Sequence, residues 1–262
     1  MQTTAIILLF VFISWFYWQG RRKRVKKTIF PESFRTILEE KVIFYKSLSE
    51  PSRLAFENRM TRFLDTVRIT GVHTIVEEED KVFVAASAII PIFAFENWEY
   101  INLNEVLLYP NSFSEEFELK DGKEHPVLGM VGNGPMQQVM ILSQPALRQG
   151  FINQTDKNNT AIHEFVHLID KTDGSVDGIP ENLLSKQYLL PWINMMHQML
   201  KEIPEGNATG INPYGATSQG EFFAVISEYF FKRPDLLKYD HPELYELLEK
   251  IFRRDFNQSI SR

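Results

Sequence analysis

"IHEFVHLID", from Ile162 to Asp170, places two histidines four residues apart and a glutamate directly after the first. Residues four apart lie on one face of an α-helix, so His163 and His167 are spaced to bind one metal ion in the H-E-x-x-H pattern. Glu164 lies one position further round, where it would accept a proton from a zinc-activated water rather than bind the metal. The stretch therefore predicts a helix that carries a zinc peptidase site.

The same stretch also fits a buried helix whose histidines only pack or cap. Its remaining positions are apolar nearly all round, with Phe165, Val166, Leu168 and Ile169, and this pattern predicts burial. Two histidines and a glutamate on a buried helix need polar partners. A single metal ion with its water would satisfy all three, so we favour the metal site.

A catalytic zinc ion usually has three protein ligands, and the sequence offers three candidates for the third. Asp173 stands where the longer pattern H-E-x-x-H-x-x-G-x-x-H has its last histidine, but that pattern needs a glycine where this chain has Asp170. Glu221 and Glu228 lie two turns apart on one face of a later predicted helix. Glu221 has a second interpretation, because Ser218 and Glu221 form the S-x-x-E of a capping box.

Composition limits the chemistry available to the chain. Its 262 residues contain no cysteine, which excludes disulfides, thiolate metal sites and a cysteine nucleophile. Any metal must therefore be held by His, Asp or Glu. The net charge of -6 argues against a nucleic-acid partner, which would require a basic face.

Residues 1–28 differ clearly in composition from the rest of the sequence and form a separate segment. The uncharged apolar run "AIILLFVFISWFYW" is followed at once by the basic stretch "GRRKRVKK". Charges after the run, with no small-residue cleavage site, favour an uncleaved transmembrane helix over a signal peptide, and the run has no polar face to suggest an amphipathic helix. We predict a single-pass anchor in the inner (cytoplasmic) membrane, with the domain formed by residues 29–262 facing the cytoplasm.

The periodicity of the rest predicts an α+β domain with a small mixed sheet between helical segments. Strands are predicted at "HTIVEE", "EVLLYP" and "QQVMILS". Residues 111–134 are rich in turn-forming residues and predict a surface excursion. The predicted helices are Pro31–Val67, the stretch "DKVFVAASAIIPIFAF" with a break near Pro91, Thr160–Asp170, Leu183–Ile203, Ser218–Lys232 and His241–Asp255.

Three longer stretches resemble one known family. "TAIHEFVHLID", "YGATSQGEFFAVISEYFF" and "ENWEYINLNEVLLYP" are similar to the Mlc titration factor family of bacterial (MtfA-like) zinc metallopeptidases. The similarity extends in order over about residues 54–255, which one short motif would not do. The resemblance implies a zincin-like metallopeptidase domain with an active-site helix.

The resemblance also implies a gluzincin-like site with Zn²⁺ as its cofactor. His163, His167 and Glu221 would be the metal ligands and Glu164 the general base. Tyr214, seven residues before Glu221, would donate a hydrogen bond to the oxyanion. The residue that orients the histidines stays open between Asp170 and Glu228, which are therefore expected near the metal.

Two functions from different classes follow. The first is a membrane-anchored zinc peptidase that hydrolyses a peptide or protein substrate, aligned along the edge of the sheet at the strand around Glu105–Tyr109. The second is a membrane-tethered regulatory protein that binds a partner, such as a transcriptional repressor, and keeps the zinc as structure. A structural site would be closed by a fourth protein ligand, for which His197 and His241 are the candidates.

Overall fold

The computed structural model describes residues 30–111, 129–131 and 138–252. These residues form ten helices and four strands. The strands are β1 (Arg68–Gly71), β2 (Glu105–Tyr109), β3 (Gly129–Val131) and β4 (Val139–Ser143). The helices are α1 (Glu32–Lys41), α2 (Ile43–Lys46), α3 (Glu50–Thr66), α4 (Glu78–Ile92), α5 (Gln144–Ile152), α6 (Thr160–Asp170), α7 (Lys186–Glu202), α8 (Gln219–Lys232), α9 (Pro234–Asp240) and α10 (Pro242–Phe252).

The four strands make one small mixed sheet in the order β1-β2-β4-β3. Strands β1, β2 and β4 are parallel, and β3 pairs antiparallel with β4 through Gly129 opposite Leu142. The predicted α+β class with a small mixed sheet is therefore confirmed. Strand β2 lies between β1 and β4, so the prediction that Glu105–Tyr109 forms a sheet edge is wrong. Among the strands of the described ranges, the edges are β1 and β3.

Helix α6 lies at the centre of the domain, packed against α4, α8 and strand β3. Its apolar side chains are buried, as the sequence predicts, and Phe165 is completely inaccessible to solvent. Phe165 contacts Phe63 of α3 and Tyr100, with ring centroids 5.8 and 5.1 Å apart. Helix α8 is likewise buried along nearly its whole length, which fixes its distance from α6.

One predicted strand is wrong for a local reason. Residues 73–77 of "HTIVEE" form no strand, because they lead into helix α4. The side chain of Glu77 caps the first turn of α4, and the side chain of Asp80 accepts from the backbone N–H of Glu77, which completes a capping box. The strand lies just before, at Arg68–Gly71, and the left-handed φ of 58° at His73 turns the chain away from the sheet.

The predicted helix over "DKVFVAASAIIPIFAF" is confirmed, and α4 ends one residue after Pro91. The transmembrane anchor predicted for residues 1–28 lies outside the described residues and stays a prediction. None of the helices in the described ranges has the length and hydrophobicity that crossing a bilayer requires.

Candidate metal centre

Helix α6 presents the two histidines of the motif one turn apart. The helix begins after Asn159, whose side-chain oxygen accepts from the backbone N–H of Ile162 at 3.0 Å and so caps the N-terminus. This start places His163 and His167 on the same face, with ring centroids 4.7 Å apart. The sequence spacing is thus realised as a pair of converging imidazoles.

Three side-chain groups meet at one point. The Nε2 atoms of His163 and His167 lie 3.0 Å apart, and the Glu221 carboxylate lies 2.9 Å from the first and 3.4 Å from the second. Nitrogen and oxygen ligands at 2.0–2.1 Å from a tetrahedral zinc ion are separated by about 3.3 Å. These three residues therefore fit a zinc ion, and the described residues contain no other such group of His, Asp or Glu side chains.

The two interpretations of Glu221 are separated by the direction of its carboxylate. Half of the capping box forms, because the Ser218 hydroxyl accepts from the backbone N–H of Glu221 at 3.1 Å. The Glu221 carboxylate faces His163 and His167. Burial would raise the pKa of this carboxyl, but the two histidines outweigh it and lower the pKa to about 2. The group is therefore ionised at neutral pH, as a metal ligand must be.

Glu228 lies behind the first histidine rather than in the ligand group. Its Oε1 atom is 2.7 Å from Nδ1 of His163, and its Oε2 accepts from the backbone N–H of Asn159. A carboxylate only accepts hydrogen bonds, so Nδ1 of His163 donates and Nε2 keeps its lone pair for a metal. Burial lowers the pKa of His163, but Glu228 and Glu221 outweigh it and raise the pKa well above its ordinary value in the metal-free protein.

Glu164 is buried beside the ligands, with 6% of its surface exposed. Burial raises the pKa of its carboxyl, and the negative charges of Glu221 and Glu228 act in the same direction against the two histidines. The opposite wall is strand β3, where Gly129 lies directly against the Glu164 side chain. Gly129 was not predicted from the sequence, because it lies in a turn-rich stretch with no motif.

Tyr214 lies on the open side of the group. It belongs to a short 3-10 turn, Pro213–Ala216. The backbone N–H of Tyr214 donates to the side-chain oxygen of Asn212, which caps this turn, at 3.1 Å. Its ring centroid is 6.3 Å from that of His163, and half of the residue is exposed. The predicted tyrosine therefore borders the metal centre from the solvent side.

The remaining candidates lie elsewhere. Asp173 is exposed in the turn after α6, where its carboxylate accepts from the Ser175 backbone. Asp170 is buried, and its Oδ2 accepts from the Gly178 backbone N–H at 2.8 Å. His197 contacts Gln219, and His241 contacts the backbone oxygen of Thr209, so neither joins the ligand group.

Comparisons with known proteins show the family to which the chain belongs. The family described as glucose-regulated metallo-peptidase M90 matches residues 16–253. The uncharacterized protein slr2042 of Synechocystis sp. is 27% identical over 96% of this chain and 97% of its own length. Mlc titration factor A of Salmonella arizonae is 28% identical over 76% of this chain and 82% of its own length.

A second Mlc titration factor A, from Pectobacterium atrosepticum, is 28% identical over 63% of this chain and 65% of its own length. The resemblance inferred from the motifs is thus confirmed by relatives that carry the same name. Because the family match over residues 16–253 includes all of the described residues, the chain belongs to the glucose-regulated metallo-peptidase M90 family.

Proposed function

We propose that this protein is a zinc-dependent peptidase that hydrolyses bonds in a peptide or protein substrate. The observation that carries the proposal is the convergence of His163, His167 and Glu221 on one point, with the buried carboxylate of Glu164 next to it. Two neutral histidines and one carboxylate would leave a bound Zn²⁺ with a net charge of about +1, which preserves its Lewis acidity. The family name supports a metallopeptidase in general terms.

Zinc, when bound, would supply Lewis-acid polarisation of the substrate carbonyl and acidify a water molecule. The residues of the chain do the rest. Glu164 accepts the proton of the attacking water and later passes it to the leaving amine. A base works best when its pKa is near the working pH, and burial moves the pKa of Glu164 in that direction.

The developing negative charge on the carbonyl oxygen needs a hydrogen-bond donor. Tyr214 is the residue that we assign to this role, because its ring borders His163 and is half exposed to an incoming substrate. Glu228 acts through His163, whose ring orientation and tautomer it holds.

Strand β3 is the element that we propose aligns the substrate. It is the edge of the sheet next to α6, whereas β2, the strand expected from the sequence, is internal. An extended peptide added alongside β3 would make backbone hydrogen bonds and pass close to Glu164. Affinity would then come from the peptide backbone, and the side chains of the substrate would determine specificity.

The test is cleavage of a mixed peptide library by the full-length, zinc-loaded protein, followed by mass spectrometry. The matched variant is Glu164→Gln with the same measured zinc content, because it keeps the shape of the side chain and removes the base. Cleavage by the wild type and its loss in the variant are the expected results. Equal cleavage by both proteins would refute the mechanism.

A regulatory protein with a structural zinc is the alternative. The name Mlc titration factor A, carried by several relatives, favours a partner-binding role for those proteins. A structural zinc site is closed by a fourth protein ligand, and the described residues supply three. X-ray absorption at the zinc edge distinguishes the two cases, since four protein ligands would favour the structural site and three with a water the catalytic one.

The location of the activity is a separate proposal that rests on the sequence of residues 1–28. We place the domain on the cytoplasmic side of the inner membrane, behind a single-pass anchor. Fractionation of cells that express the full chain or a chain without residues 1–28 tests this. Recovery of both proteins in the soluble fraction would contradict it.

A further inference from the structure

Strand β3 passes the Glu164 side chain at a distance that leaves no room for a side chain on Gly129. A Cβ atom built on Gly129 would lie 2.6 Å from both Cγ and Oε1 of Glu164 and 2.9 Å from its Cδ. Real Cβ atoms essentially never approach another heavy atom closer than 3.0 Å. Any residue other than glycine would therefore force a movement at this contact.

The two backbones at this contact are both held in place. Gly129, on the edge strand β3, pairs with the completely buried Leu142 of the inner strand β4. Glu164 lies on helix α6 between His163 and Phe165, which are both buried, and the packed interior resists a shift of the helix. The Glu164 carboxylate is the flexible end of the contact, so the displacement would fall on it.

We propose that Gly129 is a positioning residue for Glu164. The missing side chain creates the space in which the carboxylate lies, and strand and base together form one wall of the metal centre. The inference rests on the proposed function, in which Glu164 is the general base. It adds a residue that acts through Glu164, because the three atoms nearest to the Gly129 position all belong to that side chain.

A general base must lie within hydrogen-bond reach, roughly 2.6–3.2 Å, of the proton that it removes. A misplacement of about 1 Å can reduce a rate about 100-fold. We therefore expect Gly129→Ala to lower kcat by roughly 10- to 100-fold. The zinc content should change little, because the three metal ligands keep their positions.

The steric part is tested without activity, by urea unfolding of the full-length, metal-free protein. Gly129→Ala should lower the unfolding midpoint in the wild-type background. The same change in a Glu164→Ala background should leave the midpoint unchanged or raise it, because the Cγ, Cδ and Oε1 atoms that it would strike are gone. Such coupling between two substitutions identifies a direct contact.

Gly150→Ala is the matched control. Its Cβ would meet the side chain of Asn159 at 2.9 Å, a comparable crowding beside α6 that involves no atom of Glu164. Its effect on the midpoint should be the same with Glu164 and with Ala at position 164. The control separates general crowding around α6 from the specific contact at Gly129.

The possible outcomes test separately the contact, the positioning role and the peptidase function. Additive effects of Gly129→Ala and Glu164→Ala on the midpoint would overturn the contact and the positioning role with it. Coupling together with an unchanged kcat in Gly129→Ala would overturn the positioning role and leave the peptidase intact. If Glu164→Gln cleaves peptides as fast as the wild type, the proposed function is wrong. The urea unfolding of the single and double variants would still test the contact between Gly129 and Glu164.

Discussion

Nδ1 of His163 lies 2.7 Å from Oε1 of Glu228, on the side of the ring opposite the metal centre. The second oxygen of the same carboxylate accepts from the backbone N–H of Asn159, the residue that caps helix α6. One side chain from α8 thereby holds both the start of helix α6 and the ring of its first histidine. The ligand is oriented by protein contacts alone, before any metal arrives.

Glu228→Gln is expected to weaken zinc binding by roughly 10- to 100-fold, because an amide is a poorer acceptor for the histidine N–H than a carboxylate. Competition with a chromophoric chelator measures the affinity without any assay of cleavage. Glu246→Gln, an exposed position on α10, is the control and should bind zinc as the wild type does. Unchanged affinity in Glu228→Gln would show that His163 needs no such partner.

The ligand spacing on α6 follows from the sequence, because positions i and i+4 share a helix face wherever a helix forms. The direction of the Glu221 carboxylate does not. Ser218 caps α8 whichever way that carboxylate points, and only the packing of α8 against α6 turns it toward the histidines. The role of Glu228 depends on the same packing, which is why the sequence left it open.

Strand order is a second property that local pattern does not determine. The β-branched and aromatic residues of "EVLLY" predict β2 correctly. Its place between β1 and β4 results from pairing with strands at distant positions in the chain. Gly129 lies in a three-residue strand, which is too short to show a periodic pattern. Its proposed role depends on the contact with the Glu164 side chain of α6. Tertiary contacts of this kind carry no signal in a single sequence.

Tyr214→Phe is expected to lower kcat about 100-fold, since one donor to the oxyanion is removed. KM and zinc content should stay close to those of the wild type, because the ring remains and no metal ligand changes. Steady-state kinetics on a peptide found in the library screen provide the measurement. Tyr239→Phe, at a residue that is 85% exposed, is the control. A rise in KM with an unchanged kcat would indicate that Tyr214 binds the substrate and does not stabilise the oxyanion.

Asp80 should make the protein sensitive to acid. This buried carboxylate accepts from Arg148 at 2.7 Å and from Gln144 at 2.8 Å. Burial raises its pKa, but Arg148, the Glu77 N–H and Gln144 outweigh it and hold the pKa below the ordinary value. The unfolded chain then binds more protons, so the stabilisation is present above about pH 4 and is lost as the pH falls below it.

Asp80→Asn is therefore expected to lower the unfolding free energy by about 3 kcal/mol at pH 7, because Arg148 loses its buried partner. The difference from the wild type should shrink as the pH falls toward 3. Urea unfolding over this pH range measures it, with the exposed Asp65→Asn as control. A loss of unfolding free energy that is the same at every pH would mean that the effect of Asp80→Asn is steric and not ionic.

Asp170 should have the opposite dependence on pH. Burial, together with the charges of Asp177 and Asp173, raises its pKa from 3.8 to about 7, although the Gly178 N–H donates to one oxygen. The other oxygen, Oδ1, is buried without a hydrogen-bond partner among the described residues. The folded protein then binds more protons than the unfolded chain between about pH 4 and 7, so stability falls as the pH rises through this range.

Asp170→Asn keeps an acceptor for the Gly178 N–H and removes the buried charge. We expect the metal-free variant to be more stable than the wild type at pH 8, by an amount on the order of a few kcal/mol, and the two to converge toward pH 4.5. Urea unfolding of chelator-treated protein at pH 4.5, 6, 7 and 8 measures the difference. The asparagine does not titrate, so any dependence of the difference on pH comes from Asp170 in the wild type. A variant that is less stable than the wild type at pH 8 would show that Asp170 is ionised there and stabilised by a contact within the fold.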